Sequence, residues 1–276
     1  MCLILFSLNT HPIYSFVAAA NRDEFYIRPT DPVGWWEKFP TILGGKDKAE
    51  VIGIPGTWMG ISKDGRFAAI TNVRAPTEKN PLLRTRGEIS SEYLTSNLAA
   101  ADFVGKDPSR FHQYNGFNFL MGDFTNPGDP KLNWLTNRTL ANNKISSLDA
   151  IKPIQLGTGF YGLSNAMLDT PWPKISNTLP DFKKALDLDL GDFSNPEEYL
   201  QLLSNNKTAP DIDLPSTGVN IEWERILSSP FIKTENYGTR SSSLLRVRKD
   251  GHFELIERRY DQNGVIDTTK IASKFI

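Results

Sequence analysis

Residues 1–24 read MCLILFSLNTHPIYSFVAAANRDE. Two apolar runs, residues 2–8 and 14–20, flank the polar quartet Asn9-Thr10-His11-Pro12. β-Branched and aromatic residues bounded by Asn and Pro predict an antiparallel hairpin turning over residues 9–12. Neither run alternates, so both faces of the hairpin are apolar, as expected for a sheet covered on two sides. A short secretory leader is the competing reading of the same stretch, but it lacks a positive n-region and is broken by Asn9 to Pro12. Strand, turn and strand is therefore the reading taken, with Cys2 at the first strand position.

Working outward, a second hairpin is expected from strands over 57–62 and 67–73 around Asp64-Gly65, since Asp-Gly between apolar runs signals a tight turn. The Pro-, Gly- and Trp-rich residues 25–50 read as loop. Helical spacing of apolar residues predicts a helix over 87–104 and a short one over 108–114. Strands follow at 116–122 and 132–136. Helices are expected at 172–186, interrupted near Pro180, at Pro196–Leu203 and at 222–228. The chain returns to strands at 242–248 and 253–260 around a second Asp-Gly turn. Hairpins, then helices, then hairpins fit stacked antiparallel sheets with helices outside, not a βαβ array. No repeat, low-complexity tract or linker divides residues 1–276, which are expected to form one domain.

Composition excludes several classes. Hydrophobic residues make up 39% and charged ones 23%, as in ordinary globular chains. The 31 basic and 32 acidic residues leave a net charge of −1, so nothing marks nucleic acid or an anionic membrane as partner. One cysteine rules out an internal disulfide framework. The three histidines, His11, His112 and His252, lack ligand-like spacing, so no metal site is expected. No apolar run reaches the roughly 18 residues that span a bilayer, and the expected location is cytoplasmic.

The lone cysteine carries the chemistry to be weighed. Removal of Met1 before a small residue would leave Cys2 with a thiol (pKa about 8.5) and an α-amine (about 7.7–8.0), a nucleophile and its base on one residue. The alternative is a small apolar residue in a buried strand. After the second strand comes Asn21-Arg22-Asp23-Glu24. On a strand, Arg22 shares a face with Ala20 while Asn21 and Asp23 point the other way. Arg22 beside the thiol would favour the thiolate, and Asp23 could hold the α-amine; a solvated, charged strand end is the competing reading. Trp58, between Gly56 and Gly60, either lies under a site or anchors the core. Asn72 and Asn165 are either oxyanion donors or turn and cap residues. Arg240 either binds a substrate anion or pairs with a surface acid.

Five separated blocks occur in order: Met1-Cys2; Asn21-Arg22-Asp23-Glu24; Gly56-Thr57-Trp58-Met59-Gly60 with Thr71-Asn72-Val73-Arg74; Gly162-Leu163-Ser164-Asn165 with Thr170-Pro171-Trp172-Pro173-Lys174; and Tyr237-Gly238-Thr239-Arg240-Ser241. Together they resemble the NRDE family, also called the transport-and-Golgi-organisation 2 family, over nearly the whole chain. More distantly the layout is similar to the choloylglycine-hydrolase and penicillin-acylase branch of the N-terminal-nucleophile (Ntn) hydrolases. That resemblance implies an α+β fold, a four-layer αββα sandwich of antiparallel sheets, with the N-terminal residue at the mouth of a cleft. It implies Cys2 as nucleophile, Arg22 and Asp23 steadying it, and Asn72 and Asn165 around the oxyanion; Asn21, Trp58 and Arg240 are expected toward the substrate, Arg240 without a counterpart in the hydrolases. The branch separates its Arg and Asp by two residues; here they are adjacent, so Asn21, Arg22 and Asp23 all stand as the residue facing Cys2. Two functions follow from the resemblance. One is hydrolysis of a small-molecule, non-peptide linear amide without cofactor; the other is carriage of a hydrophobic ligand such as haem or an acyl-CoA/lipid, with haem trafficking the associated process.

Overall fold

The computed structural model describes residues 2–48, 53–75, 80–141 and 144–276. In chain order the strands are β1 (Cys2–Leu8), β2 (Tyr14–Phe25), β3 (Thr30–Trp35), β4 (Ile42–Asp47), β5 (Met59–Ser62) and β6 (Arg66–Asn72). Helices α1 (Gly87–Thr95) and α2 (Ala100–Gly105) precede β7 (Phe117–Asp123), β8 (Lys131–Thr136), β9 (Arg138–Ala141), β10 (Lys144–Ser147), β11 (Ile154–Gln155) and β12 (Gly159–Leu163). Then come α3 (Pro173–Ser176), α4 (Leu179–Asp187), α5 (Pro196–Leu203) and α6 (Ile221–Leu227). The chain closes with β13 (Tyr237–Arg248), β14 (His252–Asp261) and β15 (Gly264–Lys274).

Two large sheets form, ordered β12-β1-β2-β13-β14-β15 and β11-β8-β7-β6-β5-β4-β3, and β9 pairs with β10 in a separate two-stranded sheet, with every named pairing antiparallel. The period of two decides what each face buries. Ile4, Phe6, Ala18 and Ala20 of the first sheet meet Leu43, Ile61, Phe67 and Leu120 of the second. The opposite face of the first sheet, with Leu3, Leu5, Val17 and Ala19, packs on Phe182, Leu186, Leu200 and Leu203 of α4 and α5. The outer face of the second, with Ile42, Ala68, Ile70 and Phe119, packs on Ile89, Tyr93, Phe103 and Val104 of α1 and α2. Three apolar seams thus separate four layers, αββα, and the expected fold class is the observed one. Apolar residues on both faces of β1 and β2 are buried for this reason: one face meets a sheet, the other helices.

The structure differs from the expected elements in four places. Residues 25–50, expected as loop, contain β3 and β4; residues 49 and 50 lie outside the described ones. Pro32 falls where the β3–β4 register shifts between Asp31 and Gly34, and β3 is an edge strand, the position that tolerates proline. The helix expected over 87–104 is two helices, because Thr95 and Ser96 turn their hydroxyls back onto carbonyls of residues 91–93 and Ser96 is extended. Strand β2 runs to Phe25, so Asn21 to Glu24 are ladder residues rather than a tail after the strand. Strands β9 to β12 and β15 were not expected; β15 is a polar edge strand whose burial pattern shows no apolar stripe.

Candidate active site

β1 and β2 place the nucleophile candidate. Cys2 is paired directly opposite Arg22, and their side chains leave the sheet on the inter-sheet face, level with Ile4 and Ala20. Cys2 is 7% exposed and lines a cavity of about 330 Å³ together with Arg22, Trp58, Asn72, Arg86 and Arg240. Burial raises the thiol pKa; the positive N-terminus lowers it, Asp23 adds to the rise, and Arg22 and the Asp23 backbone N–H act against it. The expected lowering by Arg22 is present but smaller than the desolvation of the sulfur.

The backbone of Cys2 is held by the turn after β12. Its N–H donates to Asn165 Oδ1 at 3.4 Å, and Ser164 Oγ donates to its carbonyl at 2.9 Å. Asn165 Nδ2 donates to the Asn72 carbonyl at 2.9 Å, which ties the two asparagines together. This turn is gripped by the second sheet. Thr71 Oγ1 donates to the Ser164 carbonyl (2.7 Å), Arg74 N–H to the Asn165 carbonyl (2.7 Å) and Asn118 Nδ2 to the Ala166 carbonyl (2.7 Å). Asn118 in turn receives the Trp134 indole N–H at 3.2 Å. A polar clamp between the sheets therefore sets the position of Asn165, which is fully buried.

Asp23 points to the helical side of β2, where it accepts from Thr239 Oγ1 at 2.7 Å; burial raises its pKa, while Lys174 and the N-terminus pull it down. Asn21 occupies the same side, with Nδ2 on the Leu203 and Pro230 carbonyls (2.8 and 2.9 Å) and Oδ1 accepting from Ser242 Oγ. Asn21, expected toward the substrate, faces away from the cavity and closes the end of α5 instead; the alternation of the strand decides this. Of the three, Arg22 stands directly opposite Cys2 in the ladder, and Asp23 also lines the cavity. Trp58 lines the cavity and packs against both the inter-sheet and the α1–α2 cores. Arg240 lines the cavity while its Nη1 donates to the carbonyls of Phe25, Tyr26 and Arg28.

Three residues escaped the sequence reading as site components. Lys174 is 1% exposed and its Nζ has no hydrogen-bond partner among the described residues; burial lowers its pKa to about 8, against the pull of Asp23. Arg86, just before α1, lines the cavity with its pKa lowered by burial and opposed by Cys2. Tyr237 is buried beside Asp23 and Cys2, both of which push its hydroxyl pKa further up after desolvation. Lys174 and Tyr237 lie inside the quoted blocks; Arg86 lies in a stretch with no motif. A second, mostly apolar cavity of about 540 Å³ adjoins the first across a wall made by Glu24, Arg28, Asn72, Arg86 and Asn115. Phe25, Val73, Val219, Trp223, Leu227 and Tyr237 form the apolar part of this groove. No group of three or more His, Cys, Asp or Glu side chains among the described residues is gathered as a metal-ligand set. No helix among them is long and apolar enough to cross a membrane.

The sequence profile of the Transport and Golgi organisation 2 family matches residues 1–262. The chain is 33% identical over 269 residues to the Transport and Golgi organization protein 2 homolog of Bos taurus, covering 94% of this chain and 92% of that one. It is 34% identical over 274 residues to the Homo sapiens homolog, with the same coverage. Against the Drosophila melanogaster protein it is 26% identical over 296 residues, covering 100% and 99%. Among solved structures, it is similar to a Caenorhabditis elegans N-acylethanolamine-hydrolyzing acid amidase ortholog (TM-score 0.46, 12% identity, 88% and 92% covered). It is also similar to a mutant of the conjugated bile acid hydrolase of Clostridium perfringens (TM-score 0.45, 12% identity, 98% and 92% covered). The sequence matches carry the assignment: the chain belongs to the Transport and Golgi organisation 2 family.

Proposed function

We propose that this family member is an N-terminal cysteine amidohydrolase acting on a non-peptide linear amide. One observation carries the reading: a cavity-lining cysteine at the start of β1 whose main-chain nitrogen is bonded to a buried asparagine held in place from the opposite sheet. Once Met1 is removed, that nitrogen is an α-amine. A thiol whose pKa is raised needs a base at the moment of attack, and the α-amine is the base on the same residue.

In this mechanism the sulfur bonds to the amide carbon and its proton passes to the α-amine. The oxyanion is met by the second N–H of Asn165 Nδ2 and by the Asn72 amide. An amide nitrogen has two donors, and one of those on Asn165 is committed to the Asn72 carbonyl. Each such donor is worth about 2.7–4 kcal/mol in comparable sites. The C–N bond then breaks as the α-ammonium returns its proton to the leaving amine. Water, deprotonated by the same amine, adds to the thioester; the acid departs and the thiol is restored.

The test is an acid quench of the protein during incubation with an N-acyl aminocoumarin, followed by intact mass. The expected result is a chain lacking Met1, a covalent acyl adduct on Cys2, and coumarin release that Cys2→Ala abolishes. A retained Met1 with no adduct would overturn the reading. The neighbouring apolar groove favours a second reading, carriage of a hydrophobic ligand such as haem or an acyl-CoA/lipid. Under that reading ligand binds with unchanged affinity in Cys2→Ala and no adduct forms.

A further inference from the structure

Arg86 stands at the seam between the polar cavity and the apolar groove and lines both. Its backbone is fixed by a close approach. Gly87 packs on Gly56 so tightly that a Cβ on either would lie 3.2 Å from the other's backbone, and Thr57 N–H donates to the Gly87 carbonyl at 3.1 Å. Three other arginines around the cavity are paired with carboxylates: Arg28 faces Asp47 at 2.6 Å, Arg84 faces Glu88 at 2.7 Å, and Arg259 is paired with Asp267, while Arg240 is turned onto the carbonyls of Phe25, Tyr26 and Arg28. Arg86 has no carboxylate within ion-pair distance among the described residues. Its one side-chain hydrogen bond in that set runs from Nη1 to the Gly116 carbonyl, 3.1 Å away. A guanidinium carries five N–H donors in a planar fork suited to an oxyanion, and the carboxylate that acts on Arg86, Glu24, is beyond ion-pair distance and shared with Arg22 and Arg28. In the same cavity, the buried Nη1 of Arg22 also has no hydrogen-bond partner among the described residues, where its ion pair with Glu24 is long, at 3.9 Å.

We propose that Arg86 is an anion subsite, and that the ligand is an amphipathic amide: an apolar tail in the groove beside Trp223 and Tyr237, and an anionic group close to the carbonyl presented to Cys2. The groove supplies area for the tail, and the anion of the ligand gives Arg86, on the wall shared with the cavity of Cys2, an ion-pair partner. The bond that is cut rests on the amidohydrolase reading above; the binding preference rests on Arg86 and the groove alone. The geometry also orders the ligand: tail, then anion and amide together.

The experiment is calorimetry on the Cys2→Ala protein, which binds without turnover, using N-lauroylglycine and its neutral counterpart N-lauroylethanolamine below their micelle concentrations. A charge-assisted hydrogen bond in a half-buried site corresponds to about tenfold or more in affinity. The glycine conjugate is therefore expected to bind at least about tenfold tighter, with the ratio shrinking as salt is raised. Adding Arg86→Met should bring the ratio close to one, and Arg86→Lys should leave part of it, because the charge stays and the fork is lost. Equal binding of the two ligands, binding of neither, or a preference that survives Arg86→Met would overturn the proposal. Laurate release by the unmutated protein is read separately. Absence of release alongside an intact, Arg86-dependent preference would remove the amidohydrolase reading and leave the subsite standing.

Discussion

Cys2 and Arg22 stand directly opposite one another in the β1–β2 ladder, so thiol and guanidinium leave the sheet on the same face. The guanidinium lowers the thiol pKa, yet burial raises it by more, and the net direction is upward. Cys2 therefore rests as a thiol at neutral pH. Alkylation by iodoacetamide is expected to be slow at pH 7 and to accelerate about tenfold per pH unit until the thiol titrates, since only the thiolate reacts. Arg22→Met removes a charge that lowers the pKa, so at any one pH it should slow the reaction further. Intact mass over a pH series checks both; fast, pH-independent labelling below pH 7 would mean a thiol pKa pulled down by the neighbouring cations instead of pushed up by burial.

Asn165 is expected to matter more for turnover than for binding. Its Oδ1 accepts from Cys2 N–H while one Nδ2 hydrogen is committed to the Asn72 carbonyl. Asn165→Asp keeps the acceptor and removes the donors, so kcat should fall about 10²- to 10³-fold with little change in KM. Asn118→Ala, one residue back along the clamp, leaves the Ala166 carbonyl without its partner and should lower kcat less. A fall in KM-dependent binding with kcat preserved in Asn165→Asp would remove the oxyanion role.

The layers were legible in the sequence because β1 and β2 are apolar on both faces, which only a doubly covered sheet explains. Strand parity also separates Arg22 from Asn21 and Asp23. It could not say which side held the cavity, and so Asn21 was expected at the substrate when it caps α5. β3 and β4 were illegible for a local reason: the edge strand β3 carries Pro32 and Gly34 and its neighbour β4 carries Gly44 and Gly45, the residues that otherwise mark loops. Arg86 was hidden more deeply. Its place depends on Gly87 meeting Gly56 across 31 positions of chain, a contact that neither periodicity nor a motif encodes. Lys174 was visible as a letter in a block, but its burial beneath the site comes from α3 packing on β1.

Glu257 offers a test of the cavity wall through pH. It is buried, accepts from Val33 N–H at 2.8 Å, and has its pKa raised by desolvation, with the Val33 N–H and Arg259 opposing. A folded-state pKa above the unfolded value means stability that is fully present below the unfolded pKa of 4.5 and is lost as pH rises through the folded one. Glu257→Gln keeps an acceptor and does not titrate. The Tm of the variant relative to the parent is therefore expected to rise between about pH 4 and pH 7, reaching its most favourable value at the upper end. Parallel melting curves at three pH values decide it; a difference that stays flat would mean that Glu257 ionises as easily folded as unfolded, and one that runs the other way that it ionises more easily folded.

Arg74 and Glu224 form an ion pair of 2.7 Å with both side chains almost wholly buried, and Trp172 lies under the guanidinium at 4.5 Å. Burial lowers the Arg74 pKa to about 10 despite Glu224. Glu224 also accepts from Thr217 N–H (2.8 Å) and Oγ1 (2.6 Å). Glu224→Gln deprives a buried cation of this counter-charge and should cost about 3–5 kcal/mol; Arg74→Met leaves a carboxylate with other donors and should cost less. The double variant should cost less than the sum of the two, because each single change strands a charge that the pair removes together. The effect should also reach the site. The Arg74 backbone N–H holds the Asn165 carbonyl and Glu224 sits on α6, which borders the apolar groove, so each single variant should lower turnover as well as Tm. Additive stability losses in the double-mutant cycle would show that the two charges do not depend on one another, and would detach α6 from the positioning of Asn165.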